Sequence, residues 1–109
     1  MSRLPAPFSA NELTTASVDQ FTAGTNERRQ ISAATVSNKT ATTRFVTIKI
    51  TPTSGATERN IVYQVQVPPN TEFTLASLVG QVVYNGGKVS ALAEANTALD
   101  LVISGITTT

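Results

Sequence analysis

Catalysis in a chain of 109 residues needs a nucleophile, a general base or a metal-ligand set, and the supply here is narrow: there is no cysteine and no histidine. That removes thiol nucleophiles, thiolate and imidazole metal sites, disulfide frameworks and the commonest general base. A serine hydrolase would have to hand its proton to Lys39, Lys49, Lys88 or a carboxylate, and no serine stands in a nucleophile elbow. The acids Glu12, Asp19, Glu27, Glu58, Glu72, Glu94 and Asp100 are isolated from one another, without calcium-loop spacing. Most lie beside predicted turns, where a solvated carboxylate is the default and a glycosidase pair would have to converge through the fold. The glycines form no phosphate-cradling motif. The expectation is a non-enzymatic chain with no catalytic, cofactor-binding or metal site.

Charge points the same way. Eight basic and seven acidic residues leave a net +1, too weak a field to gather nucleic acid or an anionic membrane, so neither is expected as a partner. Arg28-Arg29, preceded by Glu27, is the one adjacent basic pair and reads as a solvated loop or strand edge. The aromatics Phe8, Phe21, Phe45, Tyr63, Phe73 and Tyr84 are spread singly, which fits core packing and strand faces better than a base-stacking or sugar-binding strip.

The elements that carry these residues are strands. From Thr43 to Val67, two runs of β-branched and aromatic residues alternate with period two around a polar loop. Val46, Ile48 and Ile50 are expected on the dry face of the first run. Ile61, Tyr63, Val65 and Val67 are expected on that of the second, opposite Gln64 and Gln66. Between them the stretch 51–60 is too polar to bury and reads as an exposed tip, and Pro68-Pro69 ends the second strand. Upstream, Gln30 to Ser37 is a strand in which Ile31 and Ala33 share one parity and Ala34 and Val36 the other; a β-bulge near Ala33-Ala34 reconciles them. Downstream come a short strand at Glu72–Leu75 and the turn Asn85-Gly86-Gly87. Residues 90–99 have helical spacing at Leu92, Ala95 and Leu99, but the alternation of Leu99, Leu101 and Ile103 favours strand, turn at 94–97, strand.

About seven to eight short strands at spacings of roughly 8–12 residues predict an all-β class, a single antiparallel β-sandwich or jelly-roll-like domain over 13–109. Residues 1–12, with Pro5 and Pro7 and no periodicity, read as an extended N-terminal arm outside the core. Leu4 and Phe8 then either pack on the outside of their own domain or dock on a neighbouring subunit. The residues expected to make protein contacts are Leu4, Pro5 and Phe8 in the arm with Arg28, Arg29 and Arg59. No window approaches the ~18 apolar residues of a membrane helix, and the N-terminus lacks the apolar core of a secretory signal, so folding in the cytoplasm is expected.

Thr-Val-Ser-Asn-Lys-Thr-Ala, Phe-Val-Thr-Ile-Lys-Ile, Tyr-Gln-Val-Gln-Val-Pro-Pro-Asn-Thr, Leu-Val-Gly-Gln-Val-Val-Tyr-Asn-Gly-Gly-Lys-Val-Ser-Ala and Leu-Asp-Leu-Val-Ile-Ser-Gly-Ile come in this order between Thr35 and Ile106, within a resemblance that covers residues 28–106. In this order they resemble the small β-sandwich virion proteins of tailed bacteriophages. The resemblance implies a structural role in the virion after synthesis in the host cytoplasm, with no cofactor and no catalytic residue to carry over. That role is a capsid decoration (cement) protein or a neck, tail or baseplate component. The implied partners are capsid or tail subunits and further copies of the chain. The reading set against it is a carbohydrate- or host-binding sandwich, which predicts exposed aromatics gathered at one end, such as Tyr63 with Tyr84.

Overall fold

The computed structural model describes residues 3–109, with side chains from residue 7 onward; Met1 and Ser2 lie outside the described residues. Nine strands and no helix occur among them: β1 (Arg3–Glu12), β2 (Val18–Thr22), β3 (Arg28–Asn38), β4 (Arg44–Thr51), β5 (Arg59–Val67), β6 (Thr71–Thr74), β7 (Val82–Tyr84), β8 (Lys88–Ala93) and β9 (Leu99–Thr108). One sheet runs β1-β9-β3-β6, with β7 on the same side of β3 as β6; the other runs β2-β8-β4-β5. All pairings are antiparallel; one set is nested, β4–β5 innermost, then β3 with β6 and β7, then β2–β8, then β1–β9, while β3–β9 and β4–β8 join these pairs into the two sheets. The chain thus forms two antiparallel sheets that face each other across one core. Their inner faces bury Val36, Val46, Ile48, Leu75, Leu78, Val89, Leu99, Leu101 and Ile103 almost completely.

Alternation explains β4, β8 and β9, whose inward residues are Val46, Ile48 and Ile50, then Val89, Ala91 and Ala93, then Leu99, Leu101 and Ile103. The parity conflict in β3 is resolved by a bulge that leaves Ser32 as the extra residue between the Ile31–Gly105 and Ala33–Ser104 pairs, so that Ile31, Ala34 and Val36 all face inward. Residues 90–99 adopt strand, turn, strand, with Thr97 at a φ of 59° in the turn.

Two expectations are corrected. In β5 the ladder to β4 passes from Val46–Val65 to Ile48–Val62, leaving Tyr63 and Gln64 together opposite Thr47. Gln64 takes a φ of 48°, and its N–H donates to the Thr47 hydroxyl at 3.2 Å. This bulge flips the face: Val62 and Val67 are buried, while Tyr63 is 64% exposed instead of joining the core. The segment read as an arm is extended, but residues 3–12 form β1, paired along β9 from Arg3–Thr108 to Glu12–Asp100. Pro5 and Pro7 are compatible with the sheet because β1 is its edge. Ile31 uses its N–H and C=O on Gln81 and Gly80, so Gln30 faces β9, Ile106 faces β3, and Pro5 opposite Ile106 turns its ring nitrogen to the free edge.

Candidate contact surfaces

The six contact candidates divide among four places. Phe8 is the extra residue of a bulge between the Pro7–Ser104 and Ser9–Ile103 pairs, and its ring packs on Phe21 with centroids 4.7 Å apart. The Arg29 guanidinium lies 5.2 Å from the Phe8 centroid and 5.9 Å from that of Phe21. Glu27 holds it there: its Oε1 accepts from Arg29 Nε at 2.7 Å and from the Gly24 N–H at 3.0 Å. The Gly24 amide and then Arg29 keep the Glu27 carboxyl below its ordinary pKa. Phe8 and Arg29 therefore close one end of the chain's own sandwich. Arg28, one residue away and on the opposite face of β3, is exposed beside Thr108 and Tyr84. Arg59 is exposed at the start of edge strand β5. Leu4 and Pro5 occupy the register positions opposite Thr107 and Ile106, and their side chains lie outside the described residues.

The Asn85-Gly86-Gly87 turn is hydrogen-bonded internally. Asn85 Oδ1 accepts from Asn26 N–H at 2.8 Å, Asn85 N–H donates to Glu27 C=O at 3.1 Å, and Asn85 C=O accepts from Ser54 N–H at 3.2 Å. Gly86 N–H donates to Ala23 C=O and Tyr84 N–H to Pro52 C=O. Three loops are clamped into one end of the sandwich, and the polar loop is free only beyond Ser54. Pattern reading also missed Asn38, a buried polar residue at the end of β3. Its Nδ2 donates to the carbonyls of Thr42 and Val67 at 2.9 and 3.0 Å, and its Oδ1 accepts from the N–H and hydroxyl of Thr40. An Asn closing a strand before Lys-Thr-Ala was the available signal, since Asn hydrogen-bonds backbone two residues on.

Charged side chains mostly pair with each other. Lys39 bridges Glu12 and Asp100, which raises its pKa above the ordinary lysine value, Glu12 being the larger cause. Asp19 accepts from the Ser90 hydroxyl at 2.7 Å and lies 3.5 Å from Lys88 Nζ. No cluster of acids suited to a metal ion occurs among the described residues.

What remains open is surface. A groove of 330 Å³ between the two edge strands β5 and β6 is lined by Val62, Val65, Phe73 and Leu75 with the Thr74–Ser77 backbone region beside them. The outer face of the β1-β9-β3-β6 sheet is broader and ordered in rows. Register places Glu12, Asp100, Ser37 and Glu72 side by side at one end. The next row is Ala10, Val102, Thr35 and Thr74, with Val102 48% exposed, and Ser104 and Ile106 carry the uncharged strip onward. The far end holds Thr108, Arg28 and Tyr84. Tyr63 stands on the other sheet from Tyr84, and is not among the residues lining the 320 Å³ hollow of Asn26, Arg28, Tyr84, Asn85 and Thr109.

No protein-family model matches the chain, and no curated protein is similar to it in sequence.

Proposed function

We propose that this chain is a jelly-roll virion structural protein that acts by contact rather than catalysis, most simply as a decoration protein seated on a capsid. The observation that carries the reading is the nested strand pairing, with β1-β9-β3-β6 set against β2-β8-β4-β5. That order supports reading the fold as a strip rolled into two Greek keys, an architecture used by viral capsid domains and lectins. The fold alone does not choose between those roles. The surface favours the first: described carboxylates lie mainly in ion pairs, and Tyr63 and Tyr84 are on different sheets instead of forming one sugar-stacking platform. Flat β faces with scattered apolar residues suit seating against other subunits. A neck or tail position uses the same surfaces.

Native mass spectrometry of the full chain, alone and mixed with purified heads and with purified tails of the phage that encodes it, tests the proposal. Stoichiometric occupancy of heads is expected; occupancy of tails alone moves the site to the tail. A chain that stays free of both and is retained on an immobilised saccharide overturns the virion role.

A further inference from the structure

We propose that the outer face of the β1-β9-β3-β6 sheet is a self-complementary interface on which a second copy of this chain docks, with its strands reversed, about a two-fold axis. Three features of that face point to a copy of itself.

The first is the arrangement of charge. The row at one end carries Glu12, Asp100 and Glu72, of which Lys39 engages Glu12 and Asp100 and leaves Glu72 without an ion pair among the described residues. The row at the other end carries exposed Arg28. A two-fold axis lying in the interface and running across the strands superposes the two ends. Arg28 on β3 then faces Ser37 of the partner's β3, between the partner's Asp100 on β9 and the partner's Glu72 on β6. Symmetry makes this contact twice. The opposite orientation, acid row on acid row, repels.

The second is what lies between the ends. The strip from Ala10 and Val102 to Ser104 and Ile106 is uncharged, and Val102 stands out from it. Small and β-branched side chains there allow two sheets to approach at the ~10 Å spacing of stacked β layers.

The third is size. Asp100 to Thr108 spans eight residues along β9, about 27 Å at ~3.4 Å per residue, and four strands at ~4.8 Å give a width of about 19 Å. The footprint is about 500 Å² per copy and about 1,000 Å² in all, which meets the lower bound of specific interfaces. A reversible dimer in the micromolar range is expected rather than an obligate one.

Self-association of this face is independent of the virion role: a dimer that ignores every particle leaves it standing, and a strictly monomeric chain that decorates heads removes it alone. Sedimentation velocity of the full chain from about 1 to about 500 µM is the test. The wild type is expected to shift from monomer to dimer, with weaker association at high salt. Val102→Glu is expected to abolish the dimer, and Arg28→Glu to raise its dissociation constant at least about tenfold. Combining Arg28→Glu with Glu72→Arg restores opposite charges across the axis and should recover association. All three positions are exposed, and an unchanged circular-dichroism melt shows that each variant folds. Monomer at every concentration, or a dimer indifferent to Val102→Glu and to the charge swap, overturns the proposal.

Discussion

Gly105 on β9 is the position at which the sandwich should be least tolerant of a single methyl group. A Cβ there would collide with the Gln30 carbonyl oxygen, approach the Gln30 carbonyl carbon to 2.9 Å and reach Phe8 Cε2 at 2.7 Å. The crowding has a structural origin: β9 lies between two strands that both bulge beside it, β1 at Phe8 and β3 at Ser32. Relief of Gly105→Ala requires β3 to move off β9, because the obstruction is backbone rather than a flexible side-chain tip. Overpacking typically costs about 1–3 kcal/mol, and two weakened ladder hydrogen bonds add about 1 kcal/mol each. A loss of about 3 kcal/mol is expected, a large part of the stability of a domain this size, with the melting temperature falling by about 15 °C. Urea unfolding followed by circular dichroism measures it. Phe8→Ala, made both in the wild type and in the Gly105→Ala variant, separates the ring from the backbone, and should recover less than about 1 kcal/mol in the latter. A Gly105→Ala variant within about 1 kcal/mol of wild type, or one fully rescued by Phe8→Ala, would refute the account of β9 as a strand pinned from both sides.

The β5 bulge predicts that neighbours behave oppositely: Tyr63→Ser should lie within about 0.5 kcal/mol of wild type, whereas Val62→Ala should cost about 2 kcal/mol, and denaturant midpoints in the reverse order would place the bulge elsewhere. Asn38→Asp exchanges two donors for a carboxylate facing the Thr42 and Val67 carbonyls and should cost about 3 kcal/mol or prevent folding, as read by thermal unfolding. Glu27 has its folded-state pKa below the ordinary value of 4.5, so its contribution is complete above that value and is lost as the pH falls through the lowered one. Wild type and Glu27→Gln should therefore differ in stability, by about 1 kcal/mol after allowance for solvent exposure, at pH 7 and converge in acid. A gap that persists to pH 2 would show that the Gln side chain, not the charge, is responsible.

Most strands were legible because one physical rule, alternate burial, governs them. The same rule exposed the β3 bulge, since Ile31 and Val36 cannot both face inward along an unbroken strand, and the structure places the extra residue at Ser32, beside the expected pair. It failed in β5 because the bulge is made of Tyr63 and Gln64: a glycine or asparagine would have announced the positive φ that Gln64 adopts. It failed in β1 because an edge strand needs hydrogen bonds on one side only, so prolines that argue against a central strand carry no penalty at the free edge. Of the contact candidates, Arg28 and Arg29 illustrate what adjacency hides. Period two sends one to the outer face and the other onto Phe8 and Phe21, a distinction that needed the strand's register as well as its existence.

A chain rich in threonine, valine and alanine, with only 14% charged residues, contains short β-forming runs of the kind that add to one another at sheet edges. Two edges of its sheets oppose this. Pro5 and Pro7 leave β1 without two of the outward amides that an incoming strand would use, and the Tyr63-Gln64 kink breaks the register of the β5 margin. Strand addition is hindered at the β1 and β5 margins, and replacing both prolines by threonine should shorten the lag of thioflavin-positive aggregation.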